Sequence, residues 1–389
     1  MKIIHIMDNL NTAGGVNSFV YDLCISQKEL GEDVSLIAIL GNENEILKQA
    51  QVVRDADIPV YCLCCKTKFQ AIRYGIPKLK KLIYSITNGT EAICNIHLKL
   101  GVLMTCIAIG KNKNIHLVET YHSQYKNYWL QYNLCKHYIS KYIPCSFSAE
   151  NEMKKRFHIP KEKIFTIPNG VNQRKIRLVA NKLSENVDEK NVTLAKNNSQ
   201  IENDGVKRFI SVGRFTEQKN FEVSVAAFTS LSEDYIIYDI YGNGPEEERI
   251  KEVSNNDPRV LFKGNVSREE IINALNQCDM VIMPSLWEGL SIFMLEALSL
   301  GCPLMVSDIE SFRNVLKEPS LNNNETWRKC SWGYLVETCC VSAYSEAIKD
   351  YLNSIDNKDN MHRASLEIAS NYDISKTATK YIALYKSLL

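Results

Sequence analysis

The sequence predicts an α/β chain of parallel sheets wrapped by helices, divided into two or three domains. Three observations predict it. Short apolar runs of strand length alternate with helix-like segments. The first run, Lys2 to Met7, empties into a glycine-bearing loop and then a helix, as at the opening of a doubly wound domain. A chain of 389 residues exceeds what one hydrophobic core usually serves, and a polar stretch over residues 180–205 interrupts it.

Composition sets the outer bounds. With 45% hydrophobic and 23% charged residues the chain is of ordinary soluble globular type. Net charge is only +1, yet residues 1–170 carry 21 Lys and Arg against 14 Asp and Glu, and the remainder 25 against 31. A basic half can face an anionic surface while the acidic half faces elsewhere. The near-zero total and the lack of a legible binding module argue against nucleic acid. Thirteen cysteines, scattered and without zinc-ligand spacing around Cys64-Cys65 or Cys339-Cys340, read as reduced, partly buried thiols of a cytosolic protein. The opening MKIIHIMD enters a strand pattern with no signal peptide, and no window approaches 18 uncharged apolar residues, so membrane contact is expected to be peripheral.

In the first half, strand candidates are Lys2 to Met7, Val34 to Leu40, Val60 to Cys64, Ala92 to Ile96, Ile115 to Glu119 and Ile143 to Phe147. Gly14 and Gly15 follow the first strand without forming G-x-G-x-x-G, so a dinucleotide site is weakly supported. They offer a tight turn or a backbone that a bound group can approach closely. Ligands of such sheets lie beyond the carboxyl ends of strands, where His97 and Tyr121-His122-Ser123 fall. His97 reads as a residue that positions a loop. Asp55-Ala56-Asp57 sits in a charged segment before Ile58-Pro59 and reads as a helix end rather than a metal motif. Two stretches suit either the headgroup zone of an anionic membrane or a solvated helix with its apolar side in the core. Residues 66–81 carry Lys66, Lys68, Arg73, Lys78, Lys80 and Lys81 with no acidic residue, and residues 125–157 interleave tyrosines with lysines.

The second half begins after a strand candidate at Ile164 to Ile167 and the turn Pro168-Asn169-Gly170-Val171. Strands are expected at Arg208 to Val212, Tyr235 to Tyr241, Val260 to Phe262, Met280 to Met283, Pro303 to Ser307 and Gly333 to Val336. Residues 310–332 are long and polar and carry no assigned ligand role. After Met283 the loop Trp287-Glu288-Gly289-Leu290-Ser291 opens a helix that stops at Gly301. Its amino end would turn unpaired amides and a positive dipole end towards the loop, a site for phosphate. Glu288 lies in that loop and Glu296 about two turns into the helix, so two carboxylates suited to hydroxyl hydrogen bonds approach one crevice.

The run P-S-x-x-E-G-L-S-x-x-x-L-E-A-L over residues 284–298 resembles the E-x7-E motif of retaining GT-B glycosyltransferases, most closely family 4, the glycosyl transferases of group 1. V-G-R-x-x-x-x-K-N over 212–220, G-x-G-P-E over 242–246, I-P-N-G-V over 167–171 and V-E-T-Y-H over 118–122 resemble further markers of that family. A departure lies at residues 310–332, where relatives hold a compact G-x-x-E-x-[IV] segment. The resemblance implies two Rossmann-like domains facing each other across a cleft. They would be residues 1–175 with a returning helix at 372–389 for the acceptor, a linker over 180–205, and residues 206–371 for the nucleotide sugar.

It also implies transfer of a sugar, with retention, from a nucleotide diphosphate sugar, UDP by expectation, to a glycan or lipid-linked glycan of a bacterial surface polysaccharide. Departure of a nucleoside diphosphate develops negative charge that metal or fixed cations must stabilise, and with no metal cluster visible Arg214 and Lys219 are the available cations. Amides of Gly289, Leu290 and Ser291 would assist them. Glu288 would bind donor-sugar hydroxyls, Glu296 the ribose, His122 the sugar from the opposite wall, and Val266 the base through backbone. Gly14 and Gly15 would close over the donor, and Asn243 belongs to the donor-binding turns. No cofactor or metal is implied, and the expected location is the cytoplasm, with peripheral contact at the inner face of the plasma membrane left open. Two alternatives stay open: a nucleotide-sugar epimerase, and a non-catalytic nucleotide-sugar-binding partner.

Overall fold

The computed structural model describes residues 1–10, 15–122, 129–182, 205–354 and 358–389. They form two compact units, one of Met1–Val171 with Tyr372–Leu389, the other of Asn172–Asn371.

In the first unit six strands form one sheet: β1 (Lys2–Met7), β2 (Asp33–Leu40), β3 (Val60–Cys65), β4 (Ala92–Ile96), β5 (Ile115–Tyr121) and β6 (Ile139–Pro144). Their spatial order is β3-β2-β1-β4-β5-β6, and every pairing is parallel. Continuous apolar runs build it because helices cover both faces, so Ile3, Ile4, Ile6 and Met7 of β1 are all fully buried. The order reverses between β1 and β4, which places a crevice at their carboxyl ends. The helix Ile374–Lys386 belongs here: Asp373 caps it, Val171 pairs with Asp373, and Tyr381 and Tyr385 pack fully buried against the unit. Its main neighbour is the helix Gly15–Glu29.

The second unit repeats the plan. Its strands are β7 (Lys207–Val212), β8 (Ile236–Tyr241), β9 (Val260–Gly264), β10 (Met280–Met283), β11 (Leu304–Ser307), β12 (Trp327–Cys330) and β13 (Gly333–Val336). They run β12-β13-β11-β10-β7-β8-β9, all parallel except β12 on β13. The reversal falls between β7 and β10.

Several expectations change. The strand expected at Ile143 to Phe147 is β6 at Ile139–Pro144, because Ser146 caps the helix Phe147–Lys155 through the Ala149 amide at 3.2 Å and so claims Phe147 for that helix. Ile164 to Ile167 runs beside β6 as an extended segment, the Phe165 and Ile167 amides donating to the Tyr142 and Pro144 carbonyls, without becoming a full strand. The polar segment 310–332 contains a helix, Glu310–Leu316, and the antiparallel edge strand β12. Of the expected linker, residues 180–182 end a helix over 173–182, and residues 183–204 lie outside the described residues. Tyr132 and Tyr142 are core residues rather than surface aromatics, whereas Phe69, Ile72 and Tyr74 are exposed among Lys66, Lys68, Arg73, Lys78, Lys80 and Lys81. Asp55 caps the end of the helix Gln51–Arg54. No helix of the described residues is long and apolar enough to cross a membrane, and all thirteen cysteines are free.

Candidate active site

The loops leaving β7 and β10 meet in the second unit. Behind β7 the chain makes a short turn, Glu217–Lys219, and delivers the Lys219 ammonium to the Glu288 carboxylate, Nζ to Oε1 at 2.6 Å. Ser285 Oγ donates to the same oxygen at 2.9 Å, and Gln218 Nε2 lies 3.3 Å from Oε2 while donating to the Trp287 carbonyl at 2.8 Å. The Leu286 amide donates to the Gln218 carbonyl at 2.8 Å and Asn220 Nδ2 to that of Pro284 at 3.3 Å, so the two loops are laced together. Glu288 is only 8% exposed at its side chain and Lys219 18%, which makes this a charge-assisted pair of partly dehydrated groups rather than a surface contact. Lys219 is thus compensated within the site. Arg214 differs: it is exposed, and its guanidinium has no ion-pair partner among the described residues.

Past Glu288 the helix Ile292–Ser299 begins at Ser291, whose side chain accepts the Met294 amide at 3.3 Å. The amides of Gly289, Leu290 and Ser291 find no acceptor among the described residues. They remain available to an anion at the positive end of the helix. Glu296 stands in the second turn, a turn nearer the loop than expected, and is buried with Arg268 Nε and Nη2 at 2.8 and 2.7 Å from its Oε1. Arg268 opens the helix Arg268–Gln277 behind the capping box of Ser267 and Glu270, directly after Val266. The β9 loop with Val266 therefore reaches the Glu296 helix.

The turn after β8 explains its glycines. A Cβ on Gly242 would stand 2.0 Å from the Gly213 carbonyl oxygen, and one on Gly244 2.2 Å from that of Phe215. Only bare backbone lets the β7 and β8 loops interlock here. Asn243 accepts the Phe215 amide through its carbonyl at 2.8 Å, and its side chain is exposed. Arg214, Lys219, Asn243, Val266, Glu288, Gly289, Leu290, Ser291 and Glu296 thus all lie on the loops and helix that follow β7, β8, β9 and β10.

The first unit holds the other expected residues. Gly15 begins the helix Gly15–Glu29 and is exposed; Gly14 lies outside the described residues. His122, just beyond β5, is buried, with Phe19 of that helix edge-on to its ring at 5.6 Å. His97 does more than steady a loop: its Nδ1 lies 3.0 Å from His122 Nε2, and its Nε2 lies 2.8 Å from His5 Nδ1. His5 Nε2 in turn lies 2.7 Å from the Gln27 carbonyl oxygen. Burial pulls the His5 pKa down to about 4 and that of His122 to about 3. It also holds His97 well below the usual imidazole value, with its two neighbours lowering it further. All three rings are therefore neutral at pH 7. Asp8, at the end of β1, takes the Leu100 and Gly101 amides at 3.1 and 2.7 Å, so the amino end of the helix Lys99–Ile109 is already occupied.

Ser285, Gln218 and Arg268, which hold the two glutamates, were not singled out by the sequence, and neither were His5 and Gln27. A histidine inside a strand of otherwise unbroken Ile and Met was the available signal for His5, since a buried ring there needs partners. Among the described residues no three His, Cys, Asp or Glu side chains are grouped to hold a metal ion.

The β7 and β10 loops thus carry a compensated lysine, an arginine with no ion-pair partner among the described residues and, at one helix end, amides with no acceptor there: groups suited to a large anion, with carboxylates for hydroxyl groups. Such groups at the carboxyl ends of the second unit's doubly wound sheet suit a nucleotide-sugar enzyme, and comparison with known proteins places the chain in such a class. Residues 13–175 match the model of Glycosyltransferase Family 4 and residues 194–367 that of Glycosyl transferases group 1. The chain belongs to this group of glycosyltransferases, with the two-domain Rossmann-like GT-B fold. It is similar to the UDP-Gal:alpha-D-GlcNAc-diphosphoundecaprenol alpha-1,3-galactosyltransferase of Escherichia coli, 32% identical over 216 residues, 53% of this chain and 50% of that enzyme. The chain spans about half the length of the curated relatives it matches. Among solved structures, Anabaena Alr3699/HepE in complex with UDP and glucose aligns over 100% of both chains with a TM-score of 0.76 at 14% identity. A glycosyltransferase from Rickettsia africae covers 100% of this chain and 98% of its own at 0.74 and 18%.

Proposed function

We propose that the protein transfers a sugar from a UDP-sugar to a glycan or lipid-linked glycan, with retention at the anomeric carbon, in the synthesis of a bacterial surface polysaccharide such as capsule, exopolysaccharide or O-antigen. The observation that carries this reading is the Lys219–Glu288 pair, with Arg214 on the same β7 loop and with the amides of Gly289, Leu290 and Ser291 left without an acceptor among the described residues. Leaving diphosphate gains negative charge as the glycosidic bond to phosphate breaks, and fixed donors aimed at that charge lower the barrier. Arg214 and the amides receive it, and Lys219 shares its ammonium between Glu288 and the diphosphate. Glu288 accepts donor-sugar hydroxyls, Glu296 the ribose hydroxyls, and His122 meets the sugar. No protein nucleophile is assigned; same-face attack assisted by the departing phosphate accounts for retention. The UDP-Gal donor and diphosphoundecaprenol-linked acceptor in the name of the Escherichia coli relative support the nucleotide and the acceptor class.

The exposed Phe69, Ile72 and Tyr74 among six cations support docking at an anionic membrane, where such an acceptor would reside, at the cytoplasmic face. A thermal-shift screen of UDP, GDP and their sugars tests the donor, because a ligand of the folded state raises its apparent stability. UDP compounds are expected to raise Tm, and Glu296→Gln to weaken UDP binding by roughly three- to ten-fold through loss of a charge-assisted acceptor. No shift with any nucleotide overturns the reading, and isomerised UDP-sugar in the absence of acceptor would favour the epimerase.

A further inference from the structure

The three histidines are joined in series, and simple proton counting constrains them. Four positions lie along the line: between Gln27 and His5, between His5 and His97, between His97 and His122, and at the outer His122 Nδ1. Three neutral rings bring three N–H protons to these four positions. Gln27 turns its side-chain oxygen Oε1 to His5 and its Nε2, which has no partner among the described residues, away; Oε1 can only accept, so in this amide orientation His5 Nε2 carries a proton and His5 Nδ1 a lone pair. His97 Nε2 must then donate to His5, and His122 Nε2 to His97 Nδ1. All three protons are used. The remaining position, His122 Nδ1, is left bare, and that atom is buried and without a partner among the described residues.

The geometry favours such a line. The rings lie within 24° and 23° of parallel, and Gln27, His5, His97 and His122 are all at least nine-tenths buried. The strand order sets them side by side, since β1, β4 and β5 are neighbours and the rings come from within β1 and from just past the ends of β4 and β5. The inner members, Gln27, His5 and His97, are out of reach of bulk water. The register is therefore set at the Gln27 end.

We propose that Gln27, His5 and His97 are positioning residues that hold His122 as its Nε2–H tautomer, so that its Nδ1 presents a lone pair to a hydroxyl group of the donor sugar. The second half rests on the reading of His122 as a sugar contact; the tautomer does not. A lone pair there accepts from O–H or N–H and repels carboxylate or carbonyl oxygen, so it selects a hydroxyl-bearing sugar over one with a carboxylate at that position.

Imidazole nitrogen NMR on the full-length 15N-labelled protein, free of ligand, tests it, with each ring assigned by loss of its signals in His5→Gln, His97→Gln and His122→Gln. Nε2–H forms are expected for all three rings. Nδ1–H at His122 overturns the proposal, because it means the line runs in the opposite sense from a Gln27 amide that donates. Gln27→Leu is expected to leave His122 a mixture of tautomers, while Gln27→Glu keeps the Nε2–H form; an unchanged His122 in Gln27→Leu removes Gln27 from the assignment. Titration of the same sample with UDP-galactose and UDP-glucose separates the two readings. Nε2–H at His122 with no response to either sugar sustains the tautomer and counts against the sugar contact.

Discussion

The two units place their polar residues at the same point of the same strand order, yet they use opposite electrostatics. At the β1–β4 reversal the residues are neutral, buried and joined in a line of hydrogen bonds. At the β7–β10 reversal they are ionic, with a largely buried lysine–glutamate contact and an exposed arginine on the same loop. A group whose charge changes during reaction needs the second arrangement, because fixed ions respond to charge with little reorganisation. A hydroxyl that stays neutral needs only an oriented lone pair. The scaffold thus does not decide the chemistry; the residues on its loops do.

The largest expected effect is acid sensitivity of the histidine side. His5, His97 and His122 have folded-state pKa values below the usual 6.5, so the unfolded chain binds more protons as pH falls. Their neutral forms therefore contribute stability that is complete above about pH 6.5 and lost as pH drops towards 4, by up to about 1.4 kcal/mol per pH unit for each ring. Hydrogen exchange in β1 and β4 should accelerate across that window, and less steeply in His97→Gln; equal slopes would break the contrast. Next, Lys219→Ala should cut transfer about 10²–10³-fold, and leaving Glu288 with only neutral donors should cost about 1–3 kcal/mol by denaturant titration. Reversing Lys78, Lys80 and Lys81 to Glu should lower binding to anionic vesicles about a hundred-fold in a flotation assay, from roughly 1 kcal/mol for each surface cation, and leave neutral vesicles unaffected. Smallest in stability is Arg214→Ala: Tm should hold, within about 0.5 kcal/mol, since the exposed side chain has no ion pair to lose among the described residues, while UDP affinity falls about ten-fold.

How much was legible follows from what each feature depends on. Strands buried on both faces announce themselves as apolar runs, so β1, β4, β10 and β13 begin and end where the pattern puts them. β12 does not, because Trp327-Arg328-Lys329-Cys330 is an edge strand whose pairing comes from its neighbour rather than from its own pattern. Glu288 and Lys219 stood out because they sit in dense local runs. Their mutual contact, across 69 residues, could not be read from either run. The histidine line was harder still: His5 and His97 are 92 residues apart, and only the adjacency of β1 and β4 makes them neighbours.

One consequence of the interlocked glycine turn concerns motion. The Phe215 amide is held by Asn243, the Glu246 amide by Phe215 and the Gly242 amide by Gly264, all through main chain. Three successive loops are thereby riveted into a single stiff rim, and a ligand that pushes on one shifts them together. Adaptation to differently shaped guests is then easiest on the β10 side, where a single main-chain bond, Leu286 to Gln218, joins the loop to this rim and the other ties, Lys219–Glu288, Gln218–Trp287 and Asn220–Pro284, depend on side chains that substitution can exchange.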